Sequence, residues 1–330
     1  MSKLKVFCFG FGQVAESFVN KLIYEKEAFD LSISSRQETH QIEFNNIQIN
    51  SYQFTNGKID ASIKGRLEEA NYILISIPPV DGKDIVVDYF ESNLKNIKNC
   101  KWVTYLSATS VYGDHKGNWV NERSITKPTS KNGTDRLYAE KAWKSLSTKI
   151  NFPLQIFRLA GIYSHEFNIL KRLKSGKAQI VNKKNHFFSR IHVEDIANIL
   201  YKSIENFKNK EIYNICDDKP APQGEVAAYG AKLLKLNQPT PIELEEVENW
   251  TVLTGDSDGT EEQRMFVQRA LSTPDFAILQ GPPGSGKTTA IIELVAQCAL
   301  QNKRVLLCGS TQASIDNVLT RIISKPNLAR

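Results

Sequence analysis

The sequence predicts an α/β protein built on a doubly wound parallel sheet, and three observations predict it. Short apolar runs alternate with amphipathic stretches from the first residues onward, and two of those runs end in glycine-rich turns that open helices. The balance of charge then changes near position 245, which marks off a second, smaller α/β fragment at the C-terminus.

Taken in order, "LKVFCFG" (4–10) reads as a short buried strand, "AESFVNKLIYE" (15–25) as a helix and "LSISS" (31–35) as a strand. "YILISIPP" (72–79) is a strand stopped by two prolines, and "DIVVDYFESNLKNI" continues the alternation. Strand "WVTYLSA" (102–108), helix "RLYAEKAWKSLSTKI" (136–150) and strand "LQIFRLAGIY" (154–163) follow. "HVEDIANILYKSIEN" (192–206), "EIYNICDD" (211–218) and "PQGEVAAYGAKLLKL" (222–236) complete the series, the last with Pro222 near a helix start. Strands alternating with helices argue for an open parallel sheet covered on both faces.

The 330 residues, 41% hydrophobic and 24% charged, suffice for a real core and about two domains. Cys8, Cys100, Cys216, Cys298 and Cys308 form no CxxC pair and lie mostly in apolar stretches, which fits reduced thiols and gives no reason to expect a metal. No charged-then-apolar leader follows Met1, and no apolar run approaches the ~20 residues of a membrane helix. A soluble, cytoplasmic protein without a membrane partner is expected.

Residues 241–330 hold 8 basic and 11 acidic residues, a balance of −3, so the net +6 leaves +9 on residues 1–240. That excess is spread over many helices and suits an anionic dinucleotide or nucleotide-sugar; nucleic acid is not expected as a partner. Between Lys235 and Arg264 there is no basic residue, while "IELEEVENWTVLTGDSDGTEE" carries eight acids. Residues 1–245 therefore read as one domain, 246–262 as an acidic linker and 263–330 as an incomplete phosphate-loop fragment.

Gly10-Phe11-Gly12-Gln13-Val14-Ala15 has the form G-x-G-x-x-A, after a predicted strand and opening a predicted helix. Gly10 permits the tight turn, Gly12 lets the backbone approach a pyrophosphate, and Ala15 lets helix and strand pack closely. The first helical N–H groups, those of Gln13 and Val14 among them, then face the anion, and Pro78 beyond the strand "YILISIPP" is counted with the same site. The alternative is a tight turn with no ligand. The second strand ends in Ser34, Ser35 and Arg36, where an NAD site would place an acid; hydroxyls and a guanidinium suit a 2′-phosphate, so NADP is favoured over NAD.

"YLSATSVYGD" (105–114), "LYAEKAW" (137–143), "FRLAGIY" (157–163), "SRIHVEDIA" (189–197) and "YNICDDKPAP" (213–222) together resemble the extended short-chain dehydrogenase/reductase superfamily, in particular its atypical, nucleoside-diphosphate-sugar epimerase-like branch. The resemblance covers about residues 3–245 and implies a Rossmann-type sheet with a small substrate subdomain, an NAD(P) cofactor and a nucleotide-sugar or similar hydroxylated substrate. The superfamily works with a Ser or Thr, a Tyr and a Lys: the phenol, its pKa lowered by the ammonium, moves a proton while hydride passes to or from the nicotinamide. In this sequence those positions fall on Ala108, Asn132 and Arg136. The literal YxxxK, Tyr112 to Lys116, lies in a glycine turn where a spacing of four does not place both on one face. Thr109, Tyr138 and Lys141 form a substitute set, with Tyr138 and Lys141 three apart on a predicted helix; a packed aromatic is the alternative for Tyr138. Arg136 does not readily deprotonate but can clamp a phosphate or ribose. Arg158 and His192 are substrate candidates, and Ser164-His165-Glu166 replaces the Gly-Pro-Gly-like turn of the family.

Gly281 to Thr288, "GPPGSGKT", fits G-x-x-x-x-G-K-[ST]: successive N–H groups, those of Gly284, Ser285 and Gly286 among them, cradle phosphates, Lys287 reaches the outer ones, and Thr288 can bind Mg²⁺ with ATP, Thr289 following it. It sits between predicted strand "FAILQ" and helix "TTAIIELVAQCALQ", with strand "RVLLCG" beyond. The surroundings resemble superfamily 1 helicases over about residues 250–325, which implies that Gln263 in "TEEQRMFVQRAL" reads adenine. After Lys287 the only acids are Glu293 and Asp316, and neither ends an apolar strand as a Walker B pair would, so ATPase or helicase activity is not expected. A fragment of this size would leave a sheet edge and an apolar helix face uncovered unless it docked. Two other readings stay open: a catalytically inactive dinucleotide-binding sensor, and an ATP-binding helicase-like fusion. The change of character near Asn249 fits a gene fusion, an engineered chimera or a mis-joined frame.

Overall fold

The computed structural model describes residues 3–178, 180–182, 186–239, 242–243, 247–255, 259–273, 277–280 and 284–324. The elements begin with β1 (Leu4–Phe9), α1 (Gln13–Tyr24), β2 (Phe29–Ser35), β3 (His40–Phe44), β4 (Ile47–Thr55), β5 (Lys58–Ile59), α2 (Ser62–Glu69) and β6 (Tyr72–Ile75). Next come α3 (Ile85–Asn96), β7 (Trp102–Ala108), a 3₁₀ turn over Thr109–Tyr112, α4 (Lys131–Ile150), β8 (Gln155–Leu159) and β9 (Gly161–Tyr163). The rest are α5 (Ile169–Lys174), β10 (Val181–Asn182), β11 (Arg190–His192), α6 (Val193–Glu205), β12 (Ile212–Ile215), α7 (Gln223–Leu234), β13 (Ile242–Glu243), α8 (Thr260–Ser272), α9 (Lys287–Leu300) and α10 (Gln312–Ile323). The chain falls into two compact units, one of Met1–Pro128, Asn132–Asn168 and Phe187–Ala221, the other of Thr129–Lys131, Ile169–His186 and Pro222–Arg330.

In the first unit the strand order is β12-β8-β7-β6-β1-β2-β4-β3, with β5 on β4. Every pair is parallel except those that β3 and β5 make with β4. The central strand shows why both faces must be covered. Its side chains alternate: Val6 and Cys8 join a cluster with Phe18, Val19 and Leu22 of α1 and Ile196 and Leu200 of α6. Phe7 and Phe9 join the opposite cluster, with Ile63 and Leu67 of α2, Phe90 and Leu94 of α3, and Trp143 and Leu146 of α4. A strand apolar on both sides reads as a continuous run, which is what "KVFCF" is. Complete burial pushes the Cys8 thiol up to about 12 and leaves it inert.

Two features differ from expectation here. Antiparallel β3 and β4 form a hairpin closed by Asn45 and Asn46, both at positive φ (48° and 62°), the type I′ turn that matches strand twist. The run 154–163 is two strands: β8 stays in the sheet, and after Ala160 the chain leaves it so that β9 pairs with β11.

In the second unit α5 packs on α7, and a Cβ at Gly230 would come within 2.8 Å of Leu173 Cδ1, so glycine lets the two helices approach. β10 and β13 pair in parallel, and α8 and α10 pack on α9. The expected strands at "FAILQ" and "RVLLCG" are not strands among the described residues 277–280 and 303–309. An apolar segment becomes a strand only when a neighbour pairs with its backbone, and among the described residues neither has such a neighbour; Ile278 and Leu306 are 78% and 88% exposed.

Candidate functional site

The turn after β1 is tied down from both sides. Gly10 N donates to Ser34 Oγ at the end of β2 (3.1 Å), and Ser76 N and Oγ donate to Phe9 O beyond β6 (3.0 and 2.9 Å). Gly10 has φ +88°, and a Cβ there would lie 2.7 Å from Ile77 Cγ2, so both conformation and space demand glycine. Gly12 caps α1 and is different: nothing lies within 4 Å of where its Cβ would be. The open side of Gly12 and the first-turn N–H groups of α1, which no helix carbonyl can reach, are the groups here that could hold an anion. Val14 and Ala15 bury their side chains in the core, whereas Gln13 keeps Oε1 buried without a partner. At the end of β2, Ser35 Oγ accepts from Ser51 Oγ (3.0 Å) and the exposed Arg36 holds only its carbonyl to Gln53 Nε2 (3.5 Å). Pro78 is exposed beyond β6.

A second group gathers at the end of β7. Thr109 and Ser110 open the 3₁₀ turn, and Gly133 of α4 lies against it so closely that a Cβ would be 2.5 Å from Ser110 O. Arg136 donates through Nη1 to Leu106 O and lies against the Tyr105 hydroxyl, while Ser110 Oγ is buried without a partner. Burial raises the Tyr105 phenol far above its ordinary value, partly countered by Arg136. Asp84, 4% exposed, accepts from Val86 N and Val87 N as the cap of α3 and from Trp143 Nε1 (2.9 Å); burial holds its carboxyl above the usual range.

The structure does not bring all the expected residues together. Tyr138 and Lys141 pair on an exposed stretch of α4, the ammonium 5.9 Å from the ring centroid and Tyr138 55% exposed, while Arg136, two residues earlier, faces inward. The expected substrate guanidinium, Arg158, is 3% exposed and held inside the core. Its Nε and Nη2 donate to Glu140 Oε1 and Oε2 (2.9 and 2.7 Å), and Nη1 donates to Tyr112 Oη (2.8 Å). Burial alone would lower its pKa, but the bonds to Glu140 and Tyr112 prevail and raise it. Ser107 Oγ adds a third donor to Glu140, Tyr112 Oη donates to Asn214 Oδ1, and Asn214 N donates to Glu122. His192 caps α6, its Nδ1 accepting from Glu194 N (3.4 Å), with its ring 5.0 Å from that of Tyr163, whose hydroxyl donates to Asp217. Sequence reasoning missed Glu140, although it stands on the buried face of α4 with Trp143, where an acid signals a partner.

In the second unit α9 starts at Lys287 after Gly284 (φ +82°) and Gly286 (φ +76°). Gln263 Nε2 donates to Ser285 O at 3.1 Å, and Lys287 Nζ lies 3.5 Å from Ser285 Oγ. Thr288 and Thr289 fill the first turn of α9; Gly281 lies outside the described residues. Among the described residues there is no cluster of three or more His, Cys, Asp or Glu side chains that could hold a metal ion, and no helix long and apolar enough to cross a membrane.

Residues 82–216 match the NAD dependent epimerase/dehydratase family, and residues 259–330 match the AAA domain family. Among solved structures, a functionally unknown conserved protein from Silicibacter pomeroyi DSS is 29% identical with a TM-score of 0.61, over 74% of this chain and 83% of its own. UDP-glucuronic acid 4-epimerase from Bacillus cereus, solved with UDP-glucuronic acid and NAD, is 16% identical with a TM-score of 0.59, over 73% of this chain and 86% of its own. That likeness concerns the fold. Among curated proteins, DNA polymerase alpha-associated DNA helicase A of Schizosaccharomyces pombe is 36% identical over 62 residues, 19% of this chain and 9% of its own length. The chain is therefore epimerase/dehydratase-like in one stretch and helicase-like in another, and it spans a small part of that helicase relative.

Proposed function

We propose that this chain, with the NAD dependent epimerase/dehydratase pattern over residues 82–216, binds NADP(H) in preference to NAD(H) and acts on a nucleotide-sugar or similar hydroxylated molecule. The observation that carries the reading is the open face of Gly12, with nothing within 4 Å of a Cβ, together with two buried polar atoms that lack partners, Gln13 Oε1 and Ser110 Oγ. Buried polar atoms cost about 1–3 kcal/mol each when unpaired, so a polar ligand that met them would be stabilised. Gly10, Gly12 and the first-turn amides of Gln13, Val14 and Ala15 would hold the pyrophosphate, with Pro78 alongside. Ser35 and Arg36 would take the ribose 2′-phosphate, and Thr109, Ser110 and Arg136 would face the nicotinamide end. Bound there, the cofactor supplies hydride transfer. On this reading Thr109 with Tyr138 and Lys141 would have to move the proton in place of the usual residues, the exposed Tyr138 and Lys141 side chains turning toward the bound cofactor. The domain assigned to this role on this reading is residues 1–245, of which Ile169–His186 and the stretch from Pro222 group with the second unit.

A specific observation favours a second reading of the same site, a dinucleotide sensor without turnover. Arg136, which takes the place of the usual lysine, is engaged with Leu106 O, and the phenol of Tyr138 stands on another face of α4. Thermal unfolding of the intact chain with NADP⁺, to which a sugar hydroxyl can pass hydride, with and without UDP-glucose, separates the readings. A cofactor-dependent rise in Tm with absorbance change at 340 nm on adding sugar nucleotide supports an enzyme, a rise in Tm alone supports the sensor, and no rise refutes both.

The helicase-like stretch supports a nucleotide site at Gly284–Thr289 with Gln263, on the observation that Gln263 already touches the turn that precedes Lys287. ATP with Mg²⁺ on Thr288 is its proposed ligand. Binding without hydrolysis is the expected result, tested by ATP titration of wild type against Lys287→Ala.

A further inference from the structure

Part of the segment expected to be an acidic linker is gripped by the helices of the second unit. Glu293 of α9 is fully buried, and its carboxylate faces three consecutive backbone N–H groups. Oε1 accepts from Thr251 N and Oγ1 (both 3.1 Å), and Oε2 accepts from Val252 N and Leu253 N (2.5 and 2.7 Å). One turn along α9, Gln297 Nε2 donates to Asn249 O and to Glu293 Oε1 (both 2.8 Å). From α8, Arg264 donates through Nε and Nη2 to Leu253 O (3.1 and 2.7 Å) and through Nη2 to Gly255 O (3.1 Å), with its guanidinium carbon 5.4 Å from the Trp250 ring centroid.

Successive N–H groups bent toward one point form an anion-binding concavity, and a carboxylate is the side chain that fills it. Burial alone would raise the Glu293 pKa, but the bonds from Gln297 and the three amides outweigh it and hold the carboxyl below the usual range. The clasp leads onward. Gln263 is the residue before Arg264 on α8, and its amide donates to Ser285 O; a Cβ on Gly286 would lie 2.1 Å from Gln263 Nε2, so side chain and turn are in contact.

We propose that Glu293 is a positioning residue for the P-loop: by clasping Thr251–Leu253 it fixes α8 through Arg264, so that Gln263 holds the Ser285 carbonyl and the Gly286 turn in the shape that receives the phosphates of a nucleoside triphosphate. The nucleotide module then begins at Asn249. The inference rests on the reading that this loop binds nucleotide.

The test uses the intact chain, with calorimetric titration of ATP and Mg²⁺, and separately of inorganic tripolyphosphate, beside amide hydrogen exchange at 251–253. Glu293→Gln removes the charge at nearly constant shape; exchange at 251–253 is expected to accelerate and both ligands to bind roughly tenfold more weakly. Gln263→Ala is expected to weaken both to a similar degree, and the double variant to be no weaker than either single one. Lys287→Ala is expected to lose binding while 251–253 stays protected. Arg264→Lys, which keeps the charge and loses the fork to Leu253 and Gly255, repeats the Glu293→Gln result through the other grip and covers the case in which that variant fails to fold. Faster exchange with unchanged affinity, or additive losses in the double variant, overturns the proposal. Protection at 251–253 with no ligand binding in wild type shows that the P-loop reading is what failed, and the positioning role falls with it.

Discussion

Arg158 and Glu140 meet in the core of the first unit as a two-pronged ion pair, Nε to Oε1 at 2.9 Å and Nη2 to Oε2 at 2.7 Å, with 3% and 0% of their side chains exposed. The pair joins β8 to α4, and through Tyr112 and Ser107 it reaches the turn that carries Thr109 and Ser110. Removing one partner leaves the other charged and buried, so Arg158→Met is expected to destabilise the first unit by about 3–5 kcal/mol. Chemical denaturation checks this. A loss below about 1 kcal/mol would mean that Glu140 finds another partner or neutralises.

The two glycines of the first turn should respond in opposite ways. Gly12→Val has open space for its side chain and an ordinary φ of −101°, so Tm should hold while dinucleotide binding disappears. Gly10→Ala meets Ile77 Cγ2 at 2.7 Å and φ +88°, so Tm should fall, by a loss of roughly 1–3 kcal/mol. Retained binding in a stable Gly12→Val would remove the pyrophosphate from this turn.

Much of this was legible in the sequence, for a physical reason. β1, β6 and β7 are buried on both faces, so their apolar runs stand out, and α1 and α6 bury regular stripes. The hairpin of β3 and β4 is not evident from composition because β3 is largely exposed and β4 mixes buried apolar with polar residues; its signal is the Asn45-Asn46 pair between alternating stretches. Arg158 is legible as a conspicuous cation, but its partner lies 18 residues away in another element, and nothing local shows whether it faces a ligand or a carboxylate. Glu293 and Thr251 are 42 apart, which is why a clasped segment reads as an acidic linker. "FAILQ" and "RVLLCG" have strand composition, and composition alone does not supply a pairing neighbour.

Arg36 tests cofactor choice. It is exposed at the end of β2, so Arg36→Ala should leave the fold unchanged, weaken NADPH roughly tenfold or more, and leave NADH nearly alone. Equal losses for both cofactors would mean that the guanidinium does not read the 2′-phosphate.

The Glu293 clasp has a pH dependence of definite sign. Its folded pKa is depressed, so the stabilisation is fully present above the ordinary carboxylate value near pH 4.5 and is lost as pH falls through the lower folded value. Amide exchange at 251–253, corrected for intrinsic rates, should be flat above pH 5 and rise in acid below about pH 4. In Glu293→Gln that acid step should be absent, and a step of equal size there would assign it to another group.

The central claim, a dinucleotide site at the Gly10–Gly12 turn, is tested most directly by calorimetric titration of the intact chain with NADPH and with NADH. One site per chain, tighter for NADPH and lost in a folded Gly12→Val, is the predicted result. Heat from neither cofactor in a chain that unfolds cooperatively would contradict it.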